Sequence, residues 1–215
     1  MKKFALILSG CGQHDGSETH ETICTILSMD QEGVQWEAYA PDVIQKRVIN
    51  HTNNTDDHEQ RSVLKEAARL ARGKIKPITE LHVREFDAIV FPGGIGAVNI
   101  LCDWFEKGTD FTFNADVKKM IDDAVALKKP MGFICIAPMM IPKIYSSATL
   151  TIGNDKKLAA EINSLGSTHV DCAAMDVVVD TKHKIVSTPA NMVAKSIGEV
   201  YMGIRKLINE LVKMS

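Results

Sequence analysis

Apolar and polar positions alternate between two periods along this chain. "FALILSG" (residues 4 to 10) is apolar without a break and stops at glycine, as a strand covered on both faces does. Ile23, Ile26 and Leu27 then fall at helical spacing, and Gly33 closes the helix. "VQWEAYAP" alternates as a second strand, which completes a strand, helix, strand unit. Residues 41 to 56 end in the polar run "NHTNNTDD" and are expected to form an irregular surface excursion. Val63, Leu64, Ala67, Ala68 and Ala71 predict the next helix, and "FDAIVFPGG" the next buried strand and its loop. A helix over 116–128, with Val117, Met120, Ile121 and Ala124 on one stripe, delivers the chain to "PMGFICIAP". Beyond it, "TLTIG", "STHVDC", "DVVVD" and "KIVSTP" read as short strands. A long helix closes the chain, its stripe running through Val193, Ile197, Val200, Tyr201, Ile204, Leu207, Ile208 and Leu211. Alternating strands and helices predict one α/β domain over 1–215, a doubly wound, mostly parallel sheet with helices on both faces.

Composition narrows the function classes. With 215 residues, 45% of them hydrophobic and 24% charged, the chain can bury one substantial core. A net charge of -2 gives no general attraction to nucleic acid or anionic lipid, so neither is an expected partner. The opening "MKKFALILSGCG" has two lysines before an apolar run, but the run ends too soon for a signal sequence or a span. It reads as the first strand of a cytoplasmic protein. Five scattered cysteines without CxxC spacing predict reduced thiols, with no disulfide framework and no metal site.

In doubly wound sheets, sites form beyond the carboxyl ends of strands. Three such loops carry unusual residues: "SGCGQHDGSETHE", "FPGGIGA" and the turn at Cys135. A lone cysteine in an apolar run is most often a small buried hydrophobe. At a sharp turn, however, the following amide and helix dipole can lower a thiol pKa and make a nucleophile. Gly93 and Gly94 can bring backbone N–H groups close to a substrate oxygen, with the amide of Ile136 as another donor. Glu21, at the start of the first helix, can exchange a proton with the thiol or the substrate. Cys11 competes as nucleophile between two glycines. His14 and His20 lack a ligand cluster, while His169 and Asp171 could supply a base and its orienter. Cys11, His20, His169 and Asn191 are the candidate pocket residues; Met139 and Met140 read as core.

"IVFPGGIGA" followed by "GFICIAP", with "GSETHE" after the first strand, resembles the class I glutamine amidotransferase-like superfamily, which includes PfpI-type proteases and parkinsonism-associated deglycases. The likeness is stronger to its enhancing-lycopene-biosynthesis branch, through "LSGCGQHDGSETHE", "KKPMGFICIAPMMIPKI" and "KIVSTPANM". The resemblance implies a flavodoxin-like fold, a homodimer and a cofactor-independent glyoxalase that turns glyoxal into glycolate, in an isoprenoid context. It makes Cys135 the nucleophile, Glu21 its glutamate, and Gly93 and Gly94 the oxyanion loop. Two departures stand out. Phe133 occupies a position that is usually small in related elbows, and no His-x-Glu pair, which glutamine hydrolysis requires, lies near the C-terminal end. A cysteine-based redox sensor or chaperone-like protein, and a glutamine-hydrolysing subunit of a synthase, are the alternatives. Residues 102–117 could form a lid or an interface.

Overall fold

The computed structural model describes residues 1–215. Its strands in chain order are β1 (Lys3–Ile7), β2 (Gln35–Ala40), β3 (Val48–Asn50), β4 (Thr55–Asp57), β5 (Ile75–Pro77), β6 (Ala88–Phe91), β7 (Met131–Ile134), β8 (Thr149–Leu150), β9 (Thr168–His169), β10 (Val178–Asp180) and β11 (Ile185–Thr188). Its helices are α1 (Thr19–Gln31), α2 (Val63–Leu70), α3 (Ile95–Asn99), α4 (Trp104–Lys107), α5 (Ala115–Ala126), α6 (Lys156–Ser164) and α7 (Ile197–Met214).

Seven strands form the main sheet in the order β10-β11-β7-β6-β1-β2-β5, and all pairs are parallel except β10 with β11. The expected α/β sandwich is therefore present. From β1 the chain steps outward to β2, and from β6 it steps the opposite way to β7. Right-handed crossovers then put α1 and α5 on opposite faces. The strand order reverses between β1 and β6, so the loops after β1, β6 and β7 open side by side at a switch point. α7 lies on the α1 face and sits directly on β7. A Cβ on Gly132 would come within 2.7 Å of Leu211 Cδ1. One connected core of 54 buried residues runs through both layers, which supports a single domain.

Several local expectations change. Ile23 and Leu27 of α1 are 47% and 44% exposed, and the buried face carries Glu21, Thr22, Cys24, Thr25, Ser28 and Met29. The hydroxyls of Thr22, Thr25 and Ser28 donate to the carbonyls of Glu18, Glu21 and Cys24 at 2.7–2.8 Å, so this small polar face is satisfied and can pack closely. The excursion at 41–56 holds the β3–β4 hairpin, and α6 occupies a stretch where only strands were expected. Val193 lies before α7, whose N-cap is Ser196. After Cys135 the chain enters a 3₁₀ helix, Ala137–Lys143, instead of an α-helix; Pro138 falls in the first turn, where it is tolerated, but Pro142 in the interior lacks the N–H that an α-helical ladder needs. Phe133 is fully buried and stacks on Phe91 with ring centroids 4.7 Å apart, so its bulk fills the core and not the elbow. Residues 102–114 fold on themselves: Cys102 bridges Phe113, and the Asp103 carboxylate accepts from Thr112 and pairs with Lys107. Although desolvation opposes it, Lys107 and the amide and hydroxyl of Thr112 hold Asp103 down to about 2.

Candidate active site

Cys135 is the first residue after β7 and has φ 62°, in the left-handed region where a side chain is strained. Its own N–H donates to Thr188 O at 2.9 Å, which ties the elbow to the end of β11. The turn aims the thiol at the β6 loop. The Gly94 amide of that loop and the Ile136 amide, next to Cys135 in the turn itself, both point at the sulfur. Cys135 is 7% exposed, so its sulfur is nearly closed off from solvent.

Glu21 is fully buried in the first turn of α1, against the same sulfur, and the thiol donates to its carboxylate. Oε2 accepts from Gly93 N at 3.1 Å and Oε1 from Asn191 N at 3.3 Å. Burial pushes the Glu21 carboxyl up to about 7, and the nearby Glu18 charge adds to the rise. Burial, followed by the Glu21 charge, pushes the Cys135 thiol well above its ordinary value, and the two amides offset only part of this. The expectation of a thiolate at rest is thus corrected. With both groups raised, the thiol keeps its proton at neutral pH while the carboxyl is part ionised.

A second correction concerns the glycines. Gly94 and Ile136 direct their amides at the sulfur, whereas the Gly93 amide donates to the Glu21 carboxylate instead, so the two glycines expected to act together are divided between the thiol and the carboxyl. Gly93 is still tightly constrained. A Cβ there would lie 2.4 Å from Cys135 Cβ and 2.5 Å from Glu21 Oε2. Gly93→Ala is expected to lower turnover by about 10²-fold or more through displacement of the pair, and to depress the melting temperature. Turnover and a thermal melt on the same preparation check this; wild-type values for both would refute the packing argument.

Of the other candidates, Asn191 belongs to the site, with its backbone N–H and its side chain both set against the Glu21 carboxylate. Cys11 is half-buried beside Thr19, Glu66 and Arg69, and burial raises its thiol. His20 is exposed on α1. The His169 ring accepts from Ile152 N at 3.3 Å and stands 3.7 Å from Asp171, where desolvation lowers its pKa. None of these three side chains hydrogen-bonds to the thiol–carboxyl pair. No cluster of three or more His, Cys, Asp or Glu residues has metal-binding geometry.

Sequence reasoning missed Glu18. Its carboxylate caps α1 by accepting from Glu21 N at 2.7 Å, while its own N–H donates to Gly93 O at 2.9 Å. One residue thereby locks the β1 loop to the β6 loop and raises the Glu21 pKa. Two glutamates three apart at a helix start were the available signal. Gly16 completes the junction: its carbonyl accepts from Gly96 N at 3.0 Å, and a Cβ on Gly94, at φ +91°, would meet that oxygen at 2.3 Å.

No family model matches the chain. The mitochondrial ES1 protein homolog of Rattus norvegicus is 33% identical over 223 residues, which span 99% of this chain and 84% of that protein. This chain belongs to the ES1 family. A human member, the mitochondrial glutamine amidotransferase-like class 1 domain-containing protein 3, is also 33% identical, over 99% of this chain and 83% of its own. Among solved structures, an isoprenoid biosynthesis protein with an amidotransferase-like domain from Ehrlichia chaffeensis matches at TM-score 0.94 and 33% identity, covering 100% and 99% of the two chains. Drosophila melanogaster DJ-1beta, 16% identical with TM-score 0.56 over 100% and 96%, shares the fold. The ES1 relatives are mitochondrial by name, which overturns the cytoplasmic expectation. No helix of this ES1-family chain is long and apolar enough to cross a membrane.

Proposed function

We propose that this chain is a cofactor-independent glyoxalase that converts glyoxal into glycolate through a hemithioacetal on Cys135. The observation that supports it most is the buried Glu21 carboxyl, raised to about 7 and hydrogen-bonded to the Cys135 thiol beneath the Gly94 and Ile136 amides. A base with that pKa is part ionised at neutral pH, where general acid–base catalysis works best.

Glu21 takes the thiol proton as Cys135 Sγ bonds to one aldehyde carbon. The oxygen that gains charge receives the N–H groups of Gly94 and Ile136, then the proton from Glu21, to give the hemithioacetal. Glu21 next removes the proton on that carbon, leaving an enediol, and a proton returns to the neighbouring carbon. The product is a thioester of glycolic acid, oxidised at the first carbon and reduced at the second. Water cleaves the carbon–sulfur bond, releasing glycolate and the thiol. Atoms and electrons balance with water as the sole co-reactant. A glutaminase would need a histidine against the thiol, whereas the groups that perturb Cys135 are Glu21 and backbone amides.

Glyoxal turnover in D₂O tests the route. Proton NMR should show glycolate with deuterium at its CH₂ carbon, because the carbon-bound proton passes through a carboxyl that exchanges with solvent. Glycolate with two protons there would indicate a direct hydride shift, and no glycolate at all would end the glyoxalase reading.

A further inference from the structure

A second constellation lies at the other edge of the sheet. β10 is the one antiparallel strand, so its carboxyl end points away from Cys135 and toward the amino ends of β7 and β11. Asp180 is the last residue of β10, and the following turn carries His183. The His183 ring Nδ1 is 2.8 Å from Asp180 Oδ2 and its Nε2 is 3.4 Å from Ser147 Oγ. The turn residue Lys184 and the length of β11, roughly 10 Å at strand rise, separate His183 from Thr188, the partner of the Cys135 elbow.

The hydrogen-bond pattern assigns the roles. An ionised Asp180 can only accept, so Nδ1 of His183 carries the hydrogen and Nε2 offers its lone pair to the Ser147 hydroxyl. Asp180 is held firmly: it also accepts from Thr149 N at 2.8 Å and from His183 N at 3.0 Å. The Asp180 and His183 side chains are 7% and 11% exposed, and the Tyr145 ring packs on the imidazole with centroids 4.7 Å apart. Ser147 is exposed, and neither its amide nor that of Ser146 donates to any group of the chain. Nucleophile, base and orienter are the parts of an acyl-transfer site.

We infer that Ser147, His183 and Asp180 form a second nucleophilic site that accepts an acyl group from small activated esters. Ser147 Oγ bonds to the ester carbonyl carbon while its proton passes to His183 Nε2. The carbon–oxygen bond to the leaving group then breaks, and the imidazolium returns the proton to the departing oxygen. Water repeats the sequence to free the acid. The shallow, open setting of Ser147 fits small acyl groups with good leaving groups.

The test treats the full chain, wild type and Cys135→Ala, with an alkyl fluorophosphonate and with p-nitrophenyl acetate, and maps adducts by peptide mass spectrometry. One adduct on Ser147 is expected in both proteins. It should be absent in Ser147→Ala and form about 10²-fold more slowly in His183→Gln. Adducts elsewhere, an equal rate in His183→Gln, or no adduct on Ser147 would overturn the site.

Discussion

Cys135→Ala is expected to lower glycolate formation from glyoxal by a factor of about 10³ or more, with the fold retained. The substitution removes the one atom that can bond to the aldehyde, and it keeps the Cβ that fills the elbow. Cys135→Ser makes the expectation sharper. A hydroxyl restores the hydrogen bond to Glu21, but it is far harder to ionise than a thiol at a site that already raises the thiol pKa. Turnover should stay near the alanine level. Measured side by side at matched folded concentration, equal turnover in wild type and Cys135→Ala would remove this residue from the mechanism.

Glu21→Gln is expected to lower kcat by about 10²–10⁴-fold, since the amide can neither take the thiol proton nor move one between carbons. The same residue makes a separate prediction about stability. Its folded pKa of about 7 lies above the ordinary 4.5, so the folded state holds the proton more tightly than the unfolded chain. That stabilisation is complete below pH 4.5 and is lost as pH rises through 7. For a fully buried group the loss is on the order of 3 kcal/mol. Urea midpoints of the wild type should therefore fall between pH 5 and 8 by more than those of Glu21→Gln. The difference in slope is the readout and absolute stability is not, because both Glu21 oxygens accept from backbone N–H groups and an amide nitrogen cannot replace one of them without cost. Over the same range kcat/KM of the wild type should rise with a midpoint near 7 as the carboxyl ionises. Parallel stability curves for the two proteins, together with a flat pH–rate profile, would show that Glu21 does not titrate in this window.

Both results depend on strain that the fold holds in place. Cys135 adopts a left-handed backbone conformation that costs a non-glycine residue of order 1–3 kcal/mol. Burial of Glu21 opposes its ionisation as well. Neither would persist unless the surrounding loops over-determined them, and the locks are visible: Cys135 N on Thr188 O, Glu18 N on Gly93 O, and Gly96 N on Gly16 O.

The unbroken apolar runs at residues 4–8 and 88–91, and the glycines that end them, made the central strands and their site-bearing loops legible without coordinates, because a strand covered on both faces has no other composition open to it. That Cys135, Glu21 and Gly94 would meet was legible for a related reason: residues at strand exits and at a helix start converge at the switch point. Other features depended on contacts distant in sequence. The buried face of α1 could not be read from its periodicity, since Thr22, Thr25 and Ser28 satisfy their own hydroxyls inside the helix while Ile23 and Leu27 stay at the surface. Gly93 and Gly94 look alike in sequence, and only the approach of Glu21 from 72 residues away divides them, one amide on the carboxylate and the other toward the sulfur. The charge state of the thiol was likewise decided in three dimensions, because burial and a neighbouring carboxylate outweigh two amides. Ser147, His183 and Asp180 share no local motif, and they meet because one strand of the sheet runs against the rest.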